Sequence, residues 1–163
     1  MAIRCIAFDL DDTLWDCDSV IHHAEQTMFA WLQAYYPAIT QRYSTLESLV
    51  ASRVDYVQQH PNLHHDLTTL RTHWLQALAI ESAYEPAMAD AAFQVFWQAR
   101  NQVQFFPEVL DSLELLASTY ALGVISNGNA DVHHIGIGHL FSFTLNSAEA
   151  GVSKPHPAIF EQA

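Results

Sequence analysis

Cysteine is nearly absent: Cys5 and Cys17 are the two thiols in 163 residues. So few, so spaced, they make neither a disulfide framework nor a metal-ligand pattern. Cys5, inside an apolar run, reads as a small core residue. Basic residues are also scarce, six Lys and Arg against 18 Asp and Glu, for a formal net charge of -12. A chain this acidic repels DNA, RNA and anionic membranes unless a local basic patch offsets the charge. Arg4, Arg42, Arg53, Arg71, Arg100 and Lys154 are scattered along it, so neither a nucleic acid nor a membrane is expected as partner. Long apolar runs are missing too. The first, IRCIAF, stops at Asp9, short of a signal-peptide core or a membrane span, and a reduced, cytoplasmic setting is the default expectation. Repeats, low-complexity tracts and linker-like stretches are absent.

Half of the residues are hydrophobic, with four Trp, six Tyr and nine Phe, so a sizeable core can form. The length suits one domain, or one compact domain carrying an insertion. Residues 3 to 8 read as a buried, parallel-type strand. Helical periodicity follows: Ile21, Ala24, Met28, Trp31, Leu32 and Tyr35 share one face, and Pro37 marks a stop. Further helices are expected at about 44–59, 64–80 and 86–103, with Trp74, Phe93, Phe96 and Trp97 as contacts between them. FFPEVLDSLELLASTY predicts a helix begun at Pro107. YALGVISNGN predicts a second strand, FSFTLNSAEAG a third and weaker one, and KPHPAIFEQA a last helix. The order is that of an α/β fold: a discontinuous core at 1–16 and 104–163, and an all-helical insertion at 17–103.

Against that background FDLDDTLWD is anomalous. Asp9, Asp11, Asp12 and Asp16 crowd the end of an apolar strand, where like charges repel unless a cation or donors compensate. In an open parallel sheet the ligand site lies beyond the carboxyl ends of the strands. DLDDT, SNGN and SKP all fall at such ends. Asp9 and Asp11, two apart, would face one way on an ideal strand, one as nucleophile and one as proton carrier. Hard carboxylate and carbonyl oxygens suit Mg2+. Ser126 and the N–H groups of the SNGN turn can bind an anion's oxygens, and Lys154 adds a point charge. Such equipment suits phosphoryl transfer, where positioning and neutralisation of charge dominate.

DLDDTLWD resembles the first motif, D-x-D-x-T, of the haloacid dehalogenase-like hydrolases; SNGN resembles the second, and GVSKPHPAIF the lysine-bearing third. The helical stretch straight after the first motif resembles the subgroup with a helical cap there. The resemblance implies a Rossmann-like parallel sheet, Asp9 as nucleophile through an aspartyl-phosphate, and Mg2+ on its carboxylate and the main-chain carbonyl of Asp11. It further implies Asp11 as general acid and then base, Ser126, Asn127 and Lys154 on the phosphoryl group, and Thr13 as support for the loop. Dehalogenases of the family lack an acid at the position of Asp11, because a halide leaves without a proton, so a phosphatase of a small phosphorylated metabolite is implied. The wording of the three motifs is similar to that of bacterial phosphatases acting on flavin mononucleotide and a riboflavin-pathway ribityl phosphate. Trp15, Trp31 or Tyr35 would stack on such a ring or, as is commoner, pack the fold.

The family's fourth motif, one or two further acids after another strand, does not occur before Ala163. A truncated or partial chain is therefore expected, with Mg2+ short of a ligand and the first strand an exposed edge open to self-association. Asp131 and Glu149 are the acids placed to stand in. Three activities stay open: the phosphatase, a catalytically incomplete fragment or binding module, and a phosphotransferase or mutase. Asp12 is read as orienting the loop and Asp16 as beginning the helical insertion. The ten histidines, several in adjacent pairs, read as solvated helix faces and take no role.

Overall fold

The computed structural model describes residues 3–163, which form two compact units. One takes in the chain as far as Asp18 and again Asn101–Ala163; the other is Ser19–Arg100.

The first unit is α/β. Strands β1 (Cys5–Phe8), β2 (Ala121–Ser126) and β3 (Phe143–Asn146) lie parallel in the order β1-β2-β3. β2 is the central strand and is buried from Leu122 to Ser126. β1, paired with β2 alone among the described residues, alternates exposed and half-buried positions. Two expectations are corrected there. The strand begins at Cys5 rather than at residue 3, and Cys5 is exposed rather than a core residue. An edge strand has one fewer neighbour to cover it, so apolar character alone did not bury it. In β2, Gly123 is opposite Phe143, whose ring occupies the space a Cβ would need, 2.1 Å away. A side chain at that position would push β3 off the sheet.

The second unit is helical. α1 (Cys17–Tyr35), which starts just before it, leads into α2 (Pro37–Arg42), α3 (Leu46–Gln59), α4 (Leu67–Glu81) and α5 (Met88–Arg100). Pro37 ends α1 as expected but also opens α2 at a first-turn position, where its missing N–H costs nothing. Thr45 begins α3 with a reciprocal cap to Ser48, and Asp66 caps α4 by accepting from Thr69 N. α5 starts at Met88, two residues after Pro86. Trp74 and Phe96 are buried in a core with Met28, Leu32, Leu75 and Phe93, and Trp97 packs against it. Truncating either large ring to Ala would cost about 3–5 kcal/mol. Tyr35 is off the buried stripe of α1 and 66% exposed; Trp31 packs between it and Tyr36.

The buried stripe of α1 instead includes Glu25. Its Oε1 accepts from Arg53 at 2.8 Å and from Arg71 at 3.4 Å. Arg71 also lies over the Phe96 ring, 3.5 Å from its centroid. Basic residues scattered in sequence thus meet in space, not as a surface patch but inside the helices, with Arg100 buried as well. Burial, and then the neighbouring Arg53, lower the Arg71 pKa to about 9 against the opposing pull of Glu25. The single acid therefore serves two arginines, the buried Arg71 and the half-buried Arg53, and removing it strands them.

The remaining elements belong to the first unit: α6 (Val109–Ala117), α7 (Val132–Ile135), α8 (Ser147–Ala150) and α9 (Pro157–Gln162). α6 buries Val109 and Leu113 and packs against β2. It starts two residues beyond Pro107. The expected third strand is half as long as its apolar pattern, because Asn146 and Glu149 cap each other's main-chain N–H groups and turn the chain into α8.

Glu25→Gln should destabilise the helical unit by about 3–5 kcal/mol, as expected when one partner of a buried ion pair is removed. Thermal unfolding followed by circular dichroism would show a clear fall in Tm. An unchanged Tm would mean that Arg53 and Arg71 are satisfied without the carboxylate.

Candidate active site

The loop after β1 alternates buried apolar anchors with acids. Leu10, Leu14 and Trp15 are buried, and between them lie Asp11, Asp12 and Thr13. Leu10 O accepts from the N–H groups of Thr13 and Leu14, and Asp12 N donates to Trp15 O. Asp12 lies at φ 58°, in the left-handed region that Asp tolerates better than most residues. Its Oδ1 accepts from Cys17 N at 2.9 Å, so it does orient the loop. Thr13 is exposed, and its main-chain N–H donates to Leu10 O in the turn.

Trp15 is fully buried. Its Nε1–H donates to Asp11 Oδ1 at 2.8 Å, and its ring meets Phe105 edge-on, centroids 5.8 Å apart. Further bonds tie the loop to the returning chain: Trp15 bridges Phe105, and Phe106 N donates to Leu14 O. A fully buried ring is not available to stack on a substrate, so the stacking expectation for Trp15 is corrected.

The three motifs meet at the carboxyl end of the sheet. Phe8 pairs with Val124 and Ser126 with Asn146, so Asp9, Asn127 and Ser147 leave neighbouring strands on the same side. Lys154 Nζ lies 2.9 Å from Asp9 Oδ1 and donates to Ile125 O at 2.7 Å. Leu10 N also donates to Asp9 Oδ1, at 2.9 Å. The Asp9 side chain keeps 43% of its surface exposed, so a substrate can reach it while Lys154, at 20%, holds it from behind. Ser126 is buried, with its Oγ accepting from Gly128 N at 2.9 Å, which tightens the turn.

Asn127 behaves differently from the expectation that it binds phosphate. Its Oδ1 accepts from Lys154 N at 2.7 Å and its Nδ2 donates to Lys154 O at 3.1 Å. The amide is thus a clamp on the main chain of Lys154, across 27 residues of sequence. Its own carbonyl accepts from Ser147 Oγ. Nothing in the sequence signalled this pairing or the Trp15–Asp11 bond, since each depends on a partner's position in space.

Asp131 and Glu149, the acids placed to stand in as metal ligands, are helix caps. Asp131 Oδ1 accepts from the N–H groups of His133 and His134, and Glu149 Oε2 from Asn146 N. Among the described residues no three His, Cys, Asp or Glu side chains gather as a metal-binding group. The donors that remain at the sheet end are the Asp9 carboxylate and main-chain carbonyls of the loop. These hard oxygens fit Mg2+, which commonly takes one or two carboxylates and completes its shell with water and substrate phosphate.

Fold and site together define an α/β protein with an aspartate–lysine centre at the open end of a parallel sheet. The haloacid dehalogenase-like hydrolase profile matches residues 3–163, and the chain belongs to that family. It is 34% identical over 157 residues to the 5-amino-6-(5-phospho-D-ribitylamino)uracil phosphatase YigB of Escherichia coli K12, covering 94% of this chain and 65% of YigB. It is 27% identical to a glyceraldehyde 3-phosphate phosphatase of Methanopyrus kandleri, covering 99% of this chain and 69% of that protein. Among solved structures, a 2-haloacid dehalogenase from Pseudomonas syringae pv. Tomato DC3000 superposes with a TM-score of 0.88 at 38% identity, over 99% of this chain and 71% of the other. The chain thus spans about two thirds of the length of these relatives.

Asn127→Ala should release the main chain of Lys154. Losing the bond from its N–H costs about 1 kcal/mol, so exchange of the Lys154 amide hydrogen should quicken about 5- to 10-fold. Unchanged protection would mean that the cis Lys154–Pro155 segment is held by other contacts.

Proposed function

We propose that the protein is a Mg2+-dependent phosphatase of a small phosphorylated metabolite, acting through an aspartyl-phosphate on Asp9. The observation that carries it is the exposed Asp9 carboxylate held by Lys154 at the sheet end, with a second acid, Asp11, in the same rigid loop. Lys154 and Leu10 N hold Oδ1, which directs Oδ2 at the phosphorus. As the Asp9 O–P bond forms, the ester P–O bond breaks and the departing alkoxide takes the proton of Asp11. The Asp11 carboxylate then accepts a proton from water as its oxygen attacks phosphorus. The Asp9 O–P bond breaks, inorganic phosphate leaves, and both carboxyl groups are restored. Lys154 and the N–H groups after Ser126 neutralise the phosphoryl oxygens, while Asn127 keeps Lys154 in place. Mg2+, when bound by the Asp9 carboxylate and the Asp11 carbonyl, supplies further neutralisation of that charge.

The helical unit takes the part of a substrate-selecting cap. YigB supports a ribityl phosphate as substrate, and the Methanopyrus kandleri relative a short sugar phosphate. Phosphorylated metabolites of this kind, and the two free cysteines, support a cytoplasmic setting. A second reading has support as well: the Pseudomonas syringae structure bears the name of a dehalogenase at 38% identity. Asp11 argues against it, because displacement of a halide uses no proton and an alkoxide needs one.

The test is release of inorganic phosphate from flavin mononucleotide, sugar phosphates and nucleotides with Mg2+, beside release of chloride from 2-chloropropionate. Phosphate release is expected, reduced at least about 1000-fold in Asp9→Asn with the fold retained. Turnover surviving in Asp9→Asn would end the aspartyl-phosphate mechanism; chloride release would favour the dehalogenase. Binding of substrate without turnover would leave a binding module.

A further inference from the structure

We propose that Trp15 is the positioning residue for the general acid, its indole N–H holding one oxygen of Asp11 and so setting how the carboxyl group faces the leaving group. The inference rests on the phosphatase reading above. An indole N–H donates and cannot accept. The Asp11 oxygen that faces it, Oδ1 at 2.8 Å, therefore cannot hold a proton along that line. The same bond restrains rotation of the carboxyl group, so its delivery of a proton to the leaving oxygen is directional. After delivery Asp11 is a carboxylate, and the same donor serves it without reorienting. A hydroxyl or a water in that place would have to switch between donor and acceptor as Asp11 alternates between acid and base.

The indole can serve in this way because it does not move. It is fully buried, its ring meets Phe105 edge-on, and its carbonyl accepts from Asp12 N in the tight turn. Leu10 and Leu14, buried on either side of the acids, hold the rest of the loop. Packing alone would be met by Phe or Leu; the N–H facing the carboxylate is the feature that packing does not require.

Trp15→Phe keeps a buried ring and removes the donor. With an alkyl phosphate such as flavin mononucleotide, kcat should fall on the order of 10- to 100-fold, with KM within about twofold of wild type. With p-nitrophenyl phosphate, whose leaving group departs with little help from a proton, the loss should be under about threefold. In an Asp11→Asn background Trp15→Phe should cause no further loss on the alkyl substrate. Independently of turnover, the indole N–H proton of Trp15 should move upfield in Asp11→Ala when read by 15N–1H NMR.

Equal losses on both substrates would make Trp15 a packing residue and overturn the proposal. So would no loss on either, or an indole signal unmoved in Asp11→Ala. A wild-type protein that hydrolyses neither substrate, or an active Asp9→Asn, would instead overturn the phosphatase reading. That failure is distinguishable, because it appears before Trp15 is changed.

Discussion

The parallel register of β1 against β2 is the constraint on which the site depends. With Phe8 opposite Val124, the chain leaves β1 two residues before β2 ends, and Asp9 follows at the level of Ile125. Lys154 returns to the same end after β3, and its Nζ links a carboxylate following one strand to a carbonyl of the next, at 2.9 and 2.7 Å. A one-residue slip of β1 would turn its side chains to the opposite face and carry Asp9 away from the lysine. On the other side of β2, Gly123 leaves room for the ring of Phe143 where β3 pairs. Sheet geometry thus precedes chemistry here: the parallel strands deliver the acids and the lysine to one end of the sheet.

The charge distribution has a related logic. With 18 acids and six Lys and Arg, the molecule has few cations to place. Arg53 and Arg71 turn inward onto Glu25, and Arg42 makes an exposed pair with Glu81. Lys154 is the cation at the sheet end. An anionic ligand is repelled by most of such a surface and drawn where a cation and main-chain N–H groups converge. Scarcity of positive charge therefore sharpens the contrast between the site and its surroundings.

Much of this was legible in the sequence, for physical reasons that can be named. The apolar runs before Asp9 and Ser126 have the length of strands, and α1, α3, α4 and α5 fall where helical periodicity was read. The acidic crowding at 9–16 signalled a site because buried strands do not otherwise end that way. Pattern could not tell a central strand from an edge strand, so Cys5 was misplaced. Nor could it show that Glu25 lies on the buried stripe, since a charged residue there is stable only through arginines distant in sequence. Asn127 was placed at an anion site because SNGN stands at a strand end; that its side-chain amide also holds the main chain of Lys154 becomes visible only once the third motif has folded back. What composition and period encode is local. What they leave out is the identity of partners across the fold.

The relatives at 34% and 38% identity carry different chemical names, a phosphatase and a dehalogenase, and each matches more than nine tenths of this chain. That combination is intelligible if the scaffold supplies only what both reactions share: a nucleophilic carboxylate, a cation beside it, and a buried turn at the neighbouring strand. The difference then falls to the residue two places after the nucleophile, which must hold a proton for an alkoxide and need not for a halide. In this chain that residue is an acid, and it is not left to find its own orientation. Leu10 and Leu14 anchor the loop on either side, and the indole of Trp15 holds one carboxyl oxygen at 2.8 Å. An acid with no proton to deliver would be an idle charge in an already crowded cluster, raising the repulsion that Lys154 must offset. Its presence, and the fixed donor built against it, are most simply explained by a leaving group that requires a proton.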